Sequence, residues 1–170
     1  YDAEMAARLR DLFPAMRVIY ITRHPFGGFA SLLHEERLKP SDINIPITDI
    51  WTREKTQRWV DVWTHINQSF LDHPDVDDSW VFRTTYERLI NDIPGVTGRM
   101  IDWLGMPREA FDLDVFNYRI YTDRADEQHR RDQRPKITWD DLTAEEYRLM
   151  TQPHLTETAA RLGYDIPVVG

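Results

Sequence analysis

The stretch YITRHPFGGFASLLH, which runs from Tyr20 to His34, joins the end of an apolar run to the start of a helical pattern. The apolar run begins at Arg17 as RVIYIT, and its β-branched residues with little alternation are typical of a parallel strand buried on both faces. Pro25 suits the first position of a helix that continues to about Arg37. The stretch therefore predicts a buried strand with a helix directly after it.

The rest of the chain repeats this alternation of strands and helices. The predicted elements are strands at 17–22 and 80–84 and helices at 2–13, 25–37, 51–71, 93–104 and 139–162. The predicted loops are 39–48, 72–78 and 111–136. This order predicts an α/β fold in which helices flank a parallel sheet on both faces. Two strands are few for such a sheet, so we expect it to be incomplete on its N-terminal side.

Three of the predicted helices carry more detailed expectations. Met5, Leu9 and Leu12 recur at helical spacing and predict the apolar face of the first helix. The apolar face predicted for the long helix consists of Trp59, Val62, Trp63, Ile66 and Phe70. Thr143 is followed three residues later by Glu146, which predicts a capping box in the last helical region.

Composition limits the classes of function. The 170 residues suit a single domain over 1–170, and the absence of cysteine excludes disulfides, thiolate nucleophiles and cysteine metal sites. The net charge of -8 argues against non-specific binding of nucleic acid, but it leaves room for a small anion in a local basic pocket. No metal site is predicted, because the six histidines are scattered and the H-E-x-x-H pattern is absent.

The sequence also carries expectations about location and completeness. No apolar run approaches the roughly 20 residues that cross a bilayer, so we predict a soluble, cytoplasmic protein. The chain starts at Tyr1 and has a helical pattern at once, so we expect it to be a piece of a longer or processed protein.

Arg23 and Ser31 frame a candidate anion site, because ligands of parallel sheets bind beyond the carboxyl ends of the strands. A planar guanidinium matches phosphate oxygens, and a serine in the second helical turn adds a neutral donor. Gly27 and Gly28 each cost about 1 kcal/mol relative to alanine within a helix, which indicates that another group approaches closely. The alternative is a surface arginine, a solvated hydroxyl and a tight packing point.

Four short motifs follow one another along the chain. They are Arg23 with Ser31 eight positions later, Tyr86-Glu87-Arg88-Leu89, Trp103-Leu104-Gly105-Met106, and Trp139 through Leu162-Gly163-Tyr164. In this order they resemble the 3′-phosphate-binding motif, the YE-x-L segment and the FLG-type helix end of the sulfotransferase family, and the C-terminal helix of its bacterial members. The chain as a whole resembles the C-terminal half of such an enzyme. The resemblance covers about residues 16–164.

The resemblance implies a P-loop-NTPase-like sulfotransferase fold and the sulfuryl donor 3′-phosphoadenosine-5′-phosphosulfate (PAPS). The product would be 3′-phosphoadenosine 5′-phosphate (PAP). It further implies that Arg23 and Ser31 hold the 3′-phosphate and that Tyr86 lies against the adenine.

A basic loop late in the sequence is the counterpart of the family loop that closes over the same phosphate. The resemblance implies this role for Arg130 and Arg131, with Arg134 and Lys136 as further candidates. The alternative for these arginines is a solvated charge run that pairs with neighbouring acidic residues.

Two departures from the family pattern limit what the resemblance implies. The chain lacks the glycine- and serine-rich phosphosulfate loop with its lysine or arginine, and it also lacks G-x-x-x-x-G-K-[ST]. The general base of the family lies upstream of the 3′-phosphate motif, where this chain offers only Asp2, Glu4 and Asp11 on a predicted surface helix. No catalytic residue is therefore assigned from the sequence.

The resemblance implies transfer of a sulfuryl group from PAPS to an acceptor hydroxyl or amine, with this chain supplying the 3′-phosphate and adenine side of the donor site. We expect a small-molecule, carbohydrate or protein acceptor and no nucleic-acid or membrane partner, while a homo-oligomer stays open. The missing loop leaves two alternatives. One is a non-catalytic, truncated or degenerate domain that acts as a binding or interaction module, and the other is a relative of nucleotide kinases.

Overall fold

The computed structural model describes residues 2–38, 53–111 and 138–167. Its helices and strands are α1 (Ala3–Leu12), β1 (Val18–Thr22), α2 (Pro25–Leu38), α3 (Arg53–Asp72), β2 (Val81–Thr85), α4 (Tyr86–Asn91), α5 (Ile93–Leu104), α6 (Ala144–Met150) and α7 (Pro153–Arg161). Short 3-10 turns occupy Arg108–Ala110 and Trp139–Asp141. The predicted loop at 39–48 and nearly all of that at 111–136 lie outside the described residues.

The two strands pair in parallel and in level register. Val18 lies opposite Val81 at one end of the pair, and Thr22 lies opposite Thr85 at the other. The predicted α/β architecture is confirmed in this form, as a two-stranded parallel sheet with helices. The level register brings the carboxyl ends of β1 and β2 to the same height, so the residues after the strands are neighbours.

One face of the sheet forms a core with α1 and α3. The buried residues of this core are Ala3, Ala6, Tyr20, Phe70, Trp80 and Val81. The rings of Tyr20 and Phe70 stack with centroids 4.3 Å apart, and the Tyr20 hydroxyl donates to Asn67 of α3 at 2.5 Å. Helix α3 therefore holds β1 through both apolar and polar contacts, while burial raises the pKa of Tyr20 well above its usual range.

The other face of β1 is open among the described residues, so the predicted burial of this strand on both faces is wrong there. Ile19 and Ile21 are 42% and 47% exposed, whereas Tyr20 and Thr22 are buried. The alternation follows from the pleat, which sends successive side chains to opposite faces. Helix α5 covers part of the open face by packing Trp103 against Phe82, with ring centroids 5.6 Å apart.

A second core joins the helices beside the strand ends. Phe29, Val60, Met150 and Leu155 are buried together and connect α2, α3, α6 and α7. Trp59 packs at the edge of this core, and a Cβ on Gly28 would come 3.1 Å from its ring. The close approach predicted at this glycine is thus made by Trp59.

Two predicted apolar faces differ from the structure. Met5, Leu9 and Leu12 of α1 are 46%, 37% and 72% exposed, because the helix turns its small residues toward the sheet instead. In α3, Val62 points to solvent at 47% exposure. Close approach to a sheet favours the alanine face of α1 over its larger side chains.

The predicted helix at 139–162 is divided into a 3-10 turn and two helices. The break between α6 and α7 precedes Pro153, which occupies the first turn of the new helix, where its missing N–H costs nothing. The predicted capping box is confirmed at the start of α6. The Glu146 N–H donates to the Thr143 hydroxyl at 3.2 Å, and the Thr143 N–H donates to the Glu146 carboxylate at 2.8 Å.

Candidate functional site

The ends of the two strands bring Arg23 and Tyr86 together. Each residue directly follows its strand, and the level register of Thr22 with Thr85 makes them neighbours. The Arg23 guanidinium carbon lies 4.4 Å from the centre of the Tyr86 ring, within the range of a cation–π contact. Tyr86 begins the short helix α4, which the sequence analysis did not predict.

Arg23 has no carboxylate partner among residues 2–32, 53–109 and 138–167. Several other arginines in these ranges pair with carboxylates, such as Arg108 with Asp102 and Arg161 with Asp72. Arg23 is also half-buried, with its charge next to the ring of Tyr86. A partly desolvated guanidinium without a carboxylate is suited to accept an external anion.

Ser31 lies on the stripe of α2 that the Arg23 side chain follows. A Cβ built on Gly27 would lie 3.5 Å from Nε of Arg23, so the arginine passes over the Gly27 face of the helix. Ser31 comes four residues later, hence on the same face one turn further along, and it is half-buried. Ser31 thus lies on the same face of α2 as the Arg23 side chain.

The start of α2 adds a favourable field for an anion. The helix begins at Pro25, two residues after Arg23, and its first turn carries no acidic residue. The N-terminus of a helix carries partial positive charge and exposes N–H donors. The positive end of the α2 dipole and the Arg23 guanidinium therefore lie at the same end of the sheet, where both favour an anion.

The peptide group between Arg23 and His24 is held at both of its polar atoms. Its carbonyl oxygen accepts a hydrogen bond from the Trp63 indole N–H at 3.2 Å, and its N–H donates to the Glu87 carboxylate at 2.9 Å. Trp63 belongs to α3 and Glu87 to α4. The main chain that carries Arg23 is thus fixed by two other elements.

Tyr164, in the segment after α7, completes this network. Its hydroxyl donates to the second oxygen of Glu87 at 3.0 Å and lies 3.1 Å from the hydroxyl of Thr22 at the end of β1. Because the only hydroxyl proton of Tyr164 goes to Glu87, Thr22 is the donor in the second contact. Burial is the main cause that raises the pKa of Tyr164 to about 12; the hydrogen bond from Thr22 opposes this shift, and the hydrogen bond to Glu87 adds to it.

His24 connects the same segment to the start of α2. Its ring meets that of Tyr164 edge to face with centroids 5.3 Å apart, and its Nε2 lies 3.0 Å from the carbonyl oxygen of Asp165. Its Nδ1 accepts the N–H of Phe26 at 3.2 Å. These two contacts fit an imidazole whose proton is on Nε2.

The remaining predicted site residues are not brought to this place by the described structure. Arg130, Arg131, Arg134 and Lys136 lie outside the described residues, so their role stays a prediction. In the described ranges, no group of three or more His, Cys, Asp or Glu side chains is placed to hold a metal ion.

Two of the three upstream acids considered for the general base have structural contacts, and the third, Asp11, is exposed on the surface of α1. Asp2 accepts the Met5 N–H at 2.9 Å as a helix cap and lies 3.1 Å from Nε2 of His65, and both contacts lower its pKa. Glu4 pairs with Arg8 on the surface of α1. These contacts are those of a helix end and a surface pair, and no base is assigned.

Sequence reasoning did not assign roles to Trp63, Glu87 and Tyr164. Glu87 and Tyr164 stood inside quoted motifs, and Trp63 was expected only to pack on its helix face. Parallel pairing of the two strands places the residues after Thr22 and Thr85 side by side, and this could have indicated that Glu87 lies close to His24. The contacts of Tyr164 depend on the path of the chain after α7, and no local pattern shows that path.

Comparison with models of known protein families gives a match. A model of the sulfotransferase family matches residues 3–110, which is more than half of the chain. No curated protein and no solved structure matches. The matched range contains the first three motifs and ends before the fourth, Trp139 to Tyr164.

None of the helices in the described part of the chain combines the length and apolar character needed to cross a bilayer, and a cytoplasmic location stays a prediction.

Proposed function

The chain belongs to the sulfotransferase family, and we propose that its Arg23–Tyr86 site binds the nucleotide end of PAPS. The membership itself makes the chain a transferase domain of a family that uses a sulfonate donor. In the proposed reaction the sulfuryl group passes to an acceptor hydroxyl or amine, and PAP is released. The observation that carries the proposal is the half-buried Arg23 guanidinium, which stacks on Tyr86 and has no carboxylate partner in the described ranges.

The residues present fit a ribose-linked phosphate beside an aromatic base. A guanidinium offers a planar fork to phosphate oxygens, and Ser31 offers a neutral donor on the same face of α2. Tyr86 is 37% exposed, so part of its surface stays available to adenine while Arg23 covers one ring face. The start of α2 favours negative charge at this place.

PAPS, when bound, supplies the sulfuryl group and leaves as PAP. The described residues of this chain bind and orient the 3′-phosphate and the adenine. We further propose, from the family resemblance, that Arg130, Arg131 and Arg134 add cationic contacts to the same phosphate. A dianion held from several elements is bound more firmly than one held by a single arginine.

The acceptor and the proton-accepting base are not assigned. A small molecule, a carbohydrate or a protein is proposed as acceptor on the basis of the reaction class alone. The hypothesis of a non-catalytic binding module shares the same nucleotide site and differs only in the absence of turnover. The family match gives no support to a nucleotide-kinase relative.

Calorimetric titration of the 170-residue chain with PAP, 5′-AMP and ATP tests the proposal. We expect PAP to bind more tightly than AMP, because only PAP carries the 3′-phosphate. Arg23→Ala should weaken PAP binding by about tenfold or more, and Ser31→Ala by about threefold, as expected for a charge-assisted and a neutral hydrogen bond. Arg99→Ala is the control. It also removes one positive charge, but the ion pair of its guanidinium within the described residues is with the exposed carboxylate of Asp92, at 3.8 Å.

Three outcomes would argue against the proposal. Equal affinity for PAP and AMP would show that the chain does not recognise the 3′-phosphate. A preference for ATP would favour the kinase relative. An equal loss in Arg99→Ala and Arg23→Ala would show that net charge, and not the Arg23 contact, governs binding. PAP binding without sulfuryl transfer to any acceptor would keep the site and favour the binding module.

A further inference from the structure

Glu87 is an unexpected neighbour for an anion site. It directly follows Tyr86, and its carboxylate accepts the N–H of the residue after Arg23. A negative charge so near a phosphate site opposes phosphate binding by simple repulsion. Its presence therefore calls for a benefit that outweighs this repulsion.

The hydrogen bonds of Glu87 indicate what that benefit is. One carboxylate oxygen accepts from the His24 N–H at 2.9 Å, and the other accepts from the Tyr164 hydroxyl at 3.0 Å. The carboxylate thus bridges the start of α2 and the segment after α7. With the Trp63 indole on the neighbouring carbonyl, both polar atoms of the Arg23–His24 peptide are held.

Tyr164 is fixed in turn by the end of β1. Its oxygen accepts from the Thr22 hydroxyl at 3.1 Å, and its ring meets the edge of His24. Gly163, with φ of 79°, adopts the left-handed conformation that turns the chain toward this position. A tyrosine far along the sequence therefore closes the network around the main chain of Arg23.

We propose that Glu87 and Tyr164 are positioning residues that hold the Arg23 main chain so that its guanidinium meets the 3′-phosphate. The inference rests on the proposed function of the Arg23–Tyr86 site. It predicts that loss of either residue reduces recognition of the 3′-phosphate specifically. The rest of the nucleotide, which does not depend on Arg23, should bind as before.

The experiment compares PAP with 5′-AMP in variants of the whole chain. The variants are Tyr164→Phe, which removes the hydroxyl and keeps the ring, Glu87→Ala, and the isosteric Glu87→Gln. Tyr147→Phe is the matched control, because it removes another hydroxyl that binds the same C-terminal segment, at the Pro167 carbonyl. Calorimetry gives the ratio of the AMP and PAP dissociation constants, and thermal melting reports the folded state of each variant.

We expect the ratio to fall about five- to tenfold in Tyr164→Phe and about tenfold in Glu87→Ala, in line with the loss of hydrogen bonds to a charged group. Glu87→Gln should stay within about threefold of the wild-type ratio, because the amide can still accept from His24 and donate to Tyr164. AMP affinity should change by less than about twofold in all variants, and Tyr147→Phe should match the wild type.

Several results would overturn the inference. If the ratio of the AMP and PAP dissociation constants were unchanged in Tyr164→Phe and Glu87→Ala, the two residues would have no positioning role. The proposed function would still hold, provided that the wild type prefers PAP. Tighter PAP binding in Glu87→Ala and Glu87→Gln alike would show that the carboxylate acts only by repulsion. Equal weakening of PAP and AMP, or loss of cooperative melting in both Tyr164→Phe and Glu87→Ala, would assign the pair a general structural role. If the wild type itself bound PAP no more tightly than AMP, the proposed function would be wrong, and the positioning role that rests on it would be wrong as well.

Discussion

Two adjacent glycines of α2 meet different neighbours. A Cβ on Gly27 would lie 3.5 Å from Nε of Arg23, an ordinary contact with a flexible side chain. A Cβ on Gly28 would lie 3.1 Å from Cζ2 of Trp59, which is tighter than ordinary packing. Trp59 has little room to move, because it packs against the rings of Phe29 and Trp63.

These contacts predict different effects of an alanine substitution at the two positions. Gly27→Ala should raise the free energy of unfolding by up to about 1 kcal/mol, since alanine is the better helix former. Gly28→Ala should be less stable than Gly27→Ala by at least about 1 kcal/mol, because overpacking against Trp59 offsets the gain in helix propensity. Urea denaturation of both variants measures the difference. Equal stabilisation by the two substitutions would contradict the packing described for Gly28.

At the level of single residues, the sequence pointed to the two residues that follow the strands, Arg23 and Tyr86. It did not identify the residues that hold the Arg23 main chain in place. Arg23 and Tyr86 follow apolar strands, and motif order identified both. Glu87, Trp63 and Tyr164 contact the Arg23–His24 peptide or one another across long separations in sequence. Such contacts depend on how helices pack around the sheet, which local spacing does not specify.

At the level of elements, both strands, the start of α2 and the capping box of α6 could be predicted. They depend on local signals, namely β-branched runs, a proline at a helix start, and Thr143 with Glu146. The face that each element buries could not be predicted as well. Helix α1 buries Ala3 and Ala6 against the sheet while its larger residues are exposed. Spacing alone cannot decide between a small and a large face when the distance to the sheet is unknown.

At the level of the whole molecule, surface ion pairs connect distant elements. Asp72 at the end of α3 accepts from Arg161 at the end of α7, with Nη1 and Oδ2 3.2 Å apart. The hydrogen bond from Arg161 lowers the pKa of Asp72, and Arg108 lowers that of Asp102 in the same way. Each pair is exposed and contributes little by itself.

The lowered pKa values predict a loss of stability in acid. A carboxylate whose pKa is lower in the folded state stabilises the fold above its ordinary value, 3.8 for Asp72, and this contribution disappears as the pH falls through the folded pKa. The urea midpoint should therefore decrease from about pH 5 to about pH 2. Asp72→Asn should have a slightly lower midpoint at neutral pH and a slightly shallower acid decrease, because this exposed pair is one of several carboxylates with a lowered pKa.

Asp11→Asn serves as the control, because Asp11 is exposed and has no ion pair among the described residues. It should follow the wild-type pH dependence. A wild-type midpoint that did not change over this pH range, or an Asp72→Asn variant that fell as steeply as the wild type, would contradict the role of the Asp72–Arg161 pair.

The parallel strand pair, the helix that starts beside it and the C-terminal segment together present one guanidinium without a carboxylate partner in the described part of the chain. The proposed function requires that this guanidinium bind the 3′-phosphate of the nucleotide. A crystal structure of the chain with PAP tests it most directly. We predict the 3′-phosphate within about 3 Å of the Arg23 guanidinium and the Ser31 hydroxyl, with the adenine against Tyr86. PAP bound elsewhere, or bound here with its 3′-phosphate directed away from Arg23, would contradict the account.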